Sequence, residues 1–319
     1  MIKKMAFYGE ENCSSQYADG RNCTNVAYYR FDGELRCGLH SKNKGDDKDD
    51  RVKLPSNPNK WEIIEDEIKR RQSVADKHAE QNNGVGLVKC QKLKMMKNPV
   101  FSNDTFMAVF PNFKHENRKD GFGCSELSPK SLGPVEHKMK NVPVALNLEN
   151  YHQGSKFFST DVDTEDRPTI EGIRLRNNIY RSEIPFRHKH TLISLDSKIP
   201  LYSLYRSLKT NKYRKYLYIE CRFFYCYWYE KLVVEEKQYK KLQKYHRDGY
   251  NLDIIGYDGR ELEEYNKESL YREYLNTSSP FGHELVLLTM LLLEKNDRPW
   301  WIYYNKHRGL YDGMFEDLE

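Results

Sequence analysis

Hydrophobic and polar positions recur with different periods along the chain, and each period predicts an element. Between residues 61 and 80, Trp61, Ile64, Ile68 and Ala75 recur at helical spacing among charges, which predicts a surface helix. Residues 104–112, DTFMAVFPN, read as a strand that stops at Pro111. Residues 147–158 read as a helix with Asn147 as N-cap. From about 213 to 246 a long helical region carries CRFFYCYWYEKL, apolar on nearly all sides, so it belongs at the centre of the core. NLDIIGYDG, 251–259, reads as a buried strand running into a Gly-containing turn, and 281–294 as a helix with a wide apolar face.

The intervening stretches are less regular. Residues 113–145 are rich in Gly, Pro and Ser and show few periodic signals; a stretch this long either wraps the domain or carries function. Pro168, Pro185 and Pro200 punctuate 160–200, and 42–60 is charged and then Pro/Asn-rich, as a linker or exposed loop is. The longest apolar run, Leu285 to Leu293, falls short of the roughly 20 residues that span a bilayer. Met1 to Phe7 has two lysines but no apolar stretch, so it does not read as a secretory signal.

Composition narrows the class. The 319 residues suffice for two or three domains, or one large domain with an appendage. The 24 Tyr and 14 Phe predict an aromatic core with Tyr at many half-buried positions. Basic and acidic residues, 52 against 47, nearly cancel, which does not suggest a strongly basic nucleic-acid coat but leaves room for a local patch. Lys114, His115, Arg118 and Lys119, set among aromatics in the long loop, form the one such cluster singled out; a solvated loop is its default reading.

Seven cysteines are an odd number. Cys90, Cys124, Cys221 and Cys226 are scattered, whereas Cys13, Cys23 and Cys37 cluster near His40. This suits metal binding with reduced thiols in a reducing, intracellular (cytoplasmic) compartment better than a disulfide framework. The spacing C-x9-C-x13-C-x2-H supplies the four donors that zinc takes in a tetrahedron. Asp32-Gly33 reads as the turn of a hairpin that delivers Cys37 and His40. The alternative is three free thiols and a surface histidine. A closed Cys3His site is structural and would present a surface to a protein or nucleic-acid partner. Lys42 and Lys44 follow it, but Asp46, Asp47, Asp49 and Asp50 offset them.

The segment LENYHQGSKFF places Glu149, His152, Gln153 and Lys156 at i, i+3, i+4 and i+7, one face of a helix, with Tyr151, Phe157 and Phe158 opposite. A solvated polar face is the plain reading of such a stripe. The segment also resembles the NADAR family, whose helix reads E-x-x-x-Q-x-x-K-F; Glu149, Gln153, Lys156 and Phe157 match it. Ser128, Pro134 and Val135 of LSPKSLGPV resemble the family's upstream Ser and its loop ending in W-P. YCYWYEKL followed by NLDIIGYDG, and then PFGHELVLLTMLL, resemble its later elements. The resemblance covers roughly 104–294. It departs after Asp258, where the family has Trp-Gly, and at Phe281-Gly282-His283, where the family has an Asn-containing turn. The Lys/Asn/Tyr-rich style is also similar to proteins of giant DNA viruses, which would place the chain in a virus-infected cell.

The fold expected is α+β: the resemblance implies a helix-rich domain, placed over 101–319, and the residue patterns put a zinc module at 1–45 and a linker and helix at 46–100 before it. It implies a hydrolase that cleaves an N-glycosidic bond of an ADP-ribosylated base or related nucleotide-derived ligand. Glu149 would stabilise charge on the sugar or activate water, Lys156 would hold a phosphate or protonate the leaving nitrogen, and Asp258 would be the second carboxylate. Ser128, His152, Gln153, Arg222 and His283 complete the set as substrate-binding candidates. Gln153 would orient water or a ribose hydroxyl, and His283, beside Glu284 at a helix start, would face a diphosphate. Arg222 lies in an apolar helix and needs a partner; Glu220 or Asp258 could pair it structurally. Cys221 and Cys226 read as core, and no third ligand joins the histidines of HKH, 188–190. The alternative function is an inactive binding protein of a larger assembly, docking a protein or nucleic-acid feature.

Overall fold

The computed structural model describes residues 11–17, 19–43, 50–54, 60–93, 100, 102–188 and 199–318. Most of the charged linker stretch (44–49 and 55–59) and residues Lys189 and His190 lie outside the described residues. The chain divides into two compact units, Met1–Val74 with Lys97–Val100, and Ala75–Met96 with Phe101–Glu319. The helix Lys60–Gln81 runs across the division, close to its predicted bounds.

In the first unit, β1 (Tyr29–Phe31), β2 (Glu34–Arg36) and β3 (Val52–Lys53) form an antiparallel sheet of order β2-β1-β3. Asp32 and Gly33 both take positive φ, as a two-residue hairpin turn requires, so the predicted turn holds. A short helix, Gly38–Asn43, follows β2.

The second unit is mixed α/β. Its central sheet has the order β4-β10-β5-β6, built from β4 (Val88–Lys92), β5 (Phe106–Phe110), β6 (Phe122–Gly123) and β10 (Asn251–Gly256). Every pairing in it is parallel. All six residues of β10 are buried, as a central parallel strand covered on both faces should be. A second, antiparallel sheet joins β7 (Lys156–Phe157), β8 (Tyr202–Arg206) and β9 (Tyr213–Tyr216).

Several predicted boundaries change. The helical region expected over 213–246 is a strand, β9, and then two helices, Tyr218–Val233 and Lys237–Arg247. The first is apolar all round because neighbours cover every side; Phe224 stacks on Tyr205 at 3.9 Å. The helix expected over 147–158 ends at Gly154. Asn147 caps it by accepting the N–H of Asn150 at 2.8 Å. At its end the Ser155 hydroxyl donates to the Tyr151 carbonyl at 2.7 Å and the chain enters β7, so Lys156 stands on a strand and not on the helix face. β4 lies within the segment expected to be linker and helix, yet it is an edge strand of the central sheet. The stretch 113–145 wraps the domain: Leu127, Leu132, Val135, Met139 and Ala145 are all buried in the main core.

One helix, His283–Leu292, is fully apolar over much of its length and packs on β4, β10 and the central helix. No helix among the described residues is long and apolar enough to cross a membrane.

Candidate functional site

The hairpin of the first unit delivers Cys37 and, from the helix after it, His40. The preceding loop, tied by the bridges Asn12–Val26 and Gln16–Asn22, delivers Cys13 and Cys23. All four are buried, and their ligand atoms lie within 4.8 Å of one another. His40 Nδ1 is 3.5 Å from Cys13 Sγ and 3.4 Å from Cys37 Sγ; Cys23 Sγ and Cys37 Sγ are 3.9 Å apart. Around an ion with Zn–S near 2.3 Å and Zn–N near 2.05 Å, a tetrahedron has edges of about 3.8 Å (S–S) and about 3.6 Å (S–N). The cluster could therefore hold a tetrahedral ion through three thiolates and Nδ1.

Backbone N–H groups also point at the sulfurs, from Asn25 to Cys23 at 3.4 Å and from His40 to Cys37 at 3.5 Å, as the outer contacts of a thiolate site do. Burial pushes the Cys13 thiol up, but hydrogen bonds from Cys37, Ser15 and His40 outweigh it and hold the thiol at about 6.

In the second unit the polar stripe survives the early end of its helix. The Gln153 side-chain amide donates to Glu149 Oε1 at 2.9 Å, and its oxygen accepts from Lys156 Nζ at 3.1 Å. The helix start is fixed from outside: Leu148 N–H donates to the Leu132 carbonyl and Glu149 N–H to Pro129, both at 2.8 Å. The helix end is fixed by Gly154, where a Cβ would lie 2.8 Å from the Tyr180 ring.

Burial lowers the pKa of Lys156, and the charges of Cys221, Glu149 and Asp258 oppose that shift. His152 packs on Tyr225 with ring centroids 4.9 Å apart. Burial first, and then the charges of Lys156 and His188, push its pKa well below the usual histidine range, so the ring is neutral at pH 7. His188 donates through Nε2 to the Gln153 carbonyl at 3.0 Å.

Two groups of this cluster were not in the predicted set. Tyr225, from the central helix, has its phenol pushed far up by burial and then by Glu149, Tyr229 and Glu284. Glu284 is a fully buried carboxylate whose Oε1 accepts the Asp258 N–H at 3.3 Å. It lies against Gly256, where a Cβ would meet its oxygen at 1.9 Å. Glu284 stood in plain view beside His283. The signal that could have found it is the pair of glycines, Gly256 and Gly282, that its side chain needs.

Asp258 is exposed and follows the end of β10. It lines a cleft of about 320 Å³ together with Lys92, Tyr257 and Arg260.

Three expected ligand contacts are otherwise employed. His283 Nε2 is 3.2 Å from the Pro111 carbonyl and its Nδ1 lies 3.2 Å from Glu284 Oε2, so the ring faces protein acceptors rather than a diphosphate. Arg222 pairs with neither Glu220 nor Asp258. Its guanidinium donates to the Tyr274 carbonyl, to Asn276 at 3.0 Å and to Ser279 at 2.6 Å, which makes it a clasp on the end of the helix Lys267–Leu275. The Ser128 hydroxyl accepts the Lys130 N–H at 3.4 Å within the turn that carries Pro129, where it shapes the loop beneath Glu149.

The basic cluster of the long loop is not a free cationic surface. His115 is buried, and Arg118 pairs with Asp120 and lies 3.9 Å over the Phe110 ring. Cys90, Cys124, Cys221 and Cys226 are buried free thiols whose pKa burial raises, consistent with core roles. Compared with known proteins, the chain matches no family model, no curated protein and no solved structure.

Proposed function

We propose that the second unit hydrolyses the N-glycosidic bond of an ADP-ribosylated base or related nucleotide-derived substrate, and that the Cys3His cluster holds a structural zinc ion. One observation carries the reading: the Gln153 amide ties the Glu149 carboxylate, at 2.9 Å, to the ammonium of half-buried Lys156, at 3.1 Å.

The chemistry follows from that arrangement. Breaking a ribosyl C–N bond sends the bonding pair to the base nitrogen and leaves positive charge on the sugar. Lys156, made more acidic by burial, gives its proton to that nitrogen. The Glu149 carboxylate stabilises the sugar cation and directs water to the anomeric carbon, and a carboxylate takes the proton that the water sheds. Because Gln153 uses both ends of its amide on Glu149 and Lys156, its role is to hold the pair rather than to orient water. Asp258 supplies the second carboxylate, from a backbone anchored on Glu284. Neutral His152 and Tyr225 border the pair without adding charge.

The test is release of free ADP-ribose from ADP-ribosylated guanine in DNA by folded, zinc-loaded protein, with Glu149→Ala as control. Release that vanishes in the variant is the expected result. No release would move the reading to a binding protein on the same fold.

A further inference from the structure

The antiparallel sheet β7-β8-β9 carries a positive charge that the fold leaves unneutralised. Side chains alternate across a strand, so Tyr213, paired with Arg206, shares one face with it, while Lys156, paired with Ser203, lies on the other. Over the Tyr213 ring stand two guanidiniums, of Arg206 at 5.3 Å and of Arg176 at 5.0 Å, the latter from the helix Ile170–Arg181. We propose that this face, with the cleft beside the turn from β8 to β9, binds a single strand of nucleic acid: its phosphates lie on the cations and one base enters the cleft. No residue of the Glu149 cluster takes part, so the proposal is independent of the glycosidase reading.

The first reason is how the cations are held. Arg176 is 1% exposed and meets no carboxylate among the described residues. Its guanidinium donates to Asn177 Oδ1 at 3.1 Å and to the Tyr213 hydroxyl at 2.8 Å, and its Nη1 is buried without a partner. A buried cation is costly unless an anion meets it. Arg206 donates through Nε to the Asn211 carbonyl and through Nη1 to the Lys140 carbonyl, both at 2.8 Å, which leaves Nη2 open. Arg214 donates to the Asp312 carbonyl at 3.0 Å. Neutral oxygens thus fix three guanidiniums in place and leave their charge to act outward.

The lysines around them add to it. Lys140 and Lys212 are exposed and form no ion pair among the described residues. The carboxylates beside this face are Glu136, which takes Lys138 at 3.3 Å, and Asp312, which lies 3.7 Å from Lys209. The helix Lys237–Arg247 is as rich in basic residues, but it spends Lys240 on Glu235 and Lys244 on Asp248.

The cleft is the second reason, and it selects among polyanions. The turn is fixed by the Leu208 N–H on the Gly313 carbonyl at 2.8 Å and the Ser207 N–H on the Lys212 carbonyl at 2.9 Å. Beside it opens a cleft of about 440 Å³, lined by Lys209, Arg308, Tyr304, Tyr311, Gly313 and Phe315. That volume falls within the roughly 300–1,000 Å³ of small-ligand pockets and admits one nucleotide. Aromatic walls beneath two cations suit a base with its phosphate better than the short carboxylate of an acidic peptide. The base must be unpaired to enter, so a duplex is held by its phosphates alone. Guanidinium forks match phosphate oxygens in the same way on either.

The experiment is fluorescence anisotropy of a labelled oligothymidylate of about 12 nucleotides with the full zinc-loaded chain, over a range of salt concentrations. Expected is saturable binding, tighter than to a duplex of the same length. The variant Lys140→Gln/Lys212→Gln changes two exposed side chains that hold nothing in the fold. Two lost phosphate contacts should lower the slope of log K against log salt by about 1.4 and weaken binding about 25-fold at about 0.1 M salt. Lys237→Gln/Arg247→Gln removes the same charge from the other basic surface and should bind as wild type does. Arg308→Gln should narrow the preference for the single strand. Four results would each overturn the proposal: no saturable binding, equal weakening in the two double variants, a duplex bound as tightly as the single strand, or displacement of the strand by polyglutamate at equal charge, which would make the partner an acidic protein.

Discussion

Protonation of His137 should cost this fold a large share of its stability in mild acid. The imidazole is buried under the Glu149 helix, stacked on Tyr151 at 5.8 Å. Its Nε2 donates to the Pro143 carbonyl at 2.9 Å, and its Nδ1 accepts the Met139 N–H at 3.1 Å, so both nitrogens are suited to the neutral ring. A proton on Nδ1 would face that N–H. Burial lowers the pKa from 6.5 to about 4, the Pro143 bond opposes the shift, and Arg176 adds to it. Between those values the unfolded chain binds a proton that the folded chain does not, so stability is complete above pH 6.5 and is lost as pH falls. At about 1.4 kcal/mol per pH unit, the drop from 6.5 to about 4 amounts to roughly 3 kcal/mol by pH 4. That is a substantial part of the ~5–15 kcal/mol that holds a typical domain. The assay is urea unfolding from pH 7.5 to 4.5 for wild type and His137→Gln. The variant should start less stable, and its deficit should shrink steadily with acidification. A deficit that stays constant over this range would refute the account.

Other outcomes can be checked in parallel. One zinc ion per chain should be measured by elemental analysis, and Cys37→Ser should lose it along with the helical and strand order of the first unit, because metal binding at such sites contributes about 10–16 kcal/mol of folding free energy. Gly256→Ala should destabilise by roughly 1–3 kcal/mol in denaturant, since the new methyl lands on Glu284; a change within experimental error would mean that Glu284 swings aside freely. If Lys156 is the proton donor, the basic limb of the kcat/KM profile should fall at a pH below its ordinary value of 10.5, and Lys156→Met should abolish both limb and turnover. For stability the sign is the opposite of a donor's benefit. The unfolded chain binds the Lys156 proton more tightly, so its burial is less costly as pH rises toward 10.5.

What was legible in the sequence is what local chemistry encodes. The four residues of the Cys3His cluster fall within 28 residues and are linked by a turn that Asp32-Gly33 specifies on its own. Asn147 caps the helix it precedes, and β10 is an unbroken buried run. Elements whose partners are remote left weaker marks. β4, VKCQK, alternates because Lys89 and Gln91 face Asp253, at 3.4 Å and 2.6 Å; a polar pair made across more than 160 residues hides a central-sheet strand behind a surface-like pattern. The opposite problem merged β9 and two helices into one region, since a helix covered on every side has no polar stripe to mark its end.

Arg222 makes the same point about function. An arginine in an apolar helix demands a partner, and a sequence displays only side chains as partners, so Glu220 and Asp258 were the natural choices. The structure uses backbone carbonyls instead, at residues 274, 276 and 279. Those carbonyls hold the segment that leads to Ser279 and Pro280, one wall of the cleft that Asp258 lines, and so Arg222 acts by shaping that wall. Glu284 acts likewise: it has no exposed surface, but its hydrogen bond sets where Asp258 stands. In both cases the residue type advertised a charge that had to be satisfied, and only the folded chain decided whether a ligand or the protein's own backbone would satisfy it.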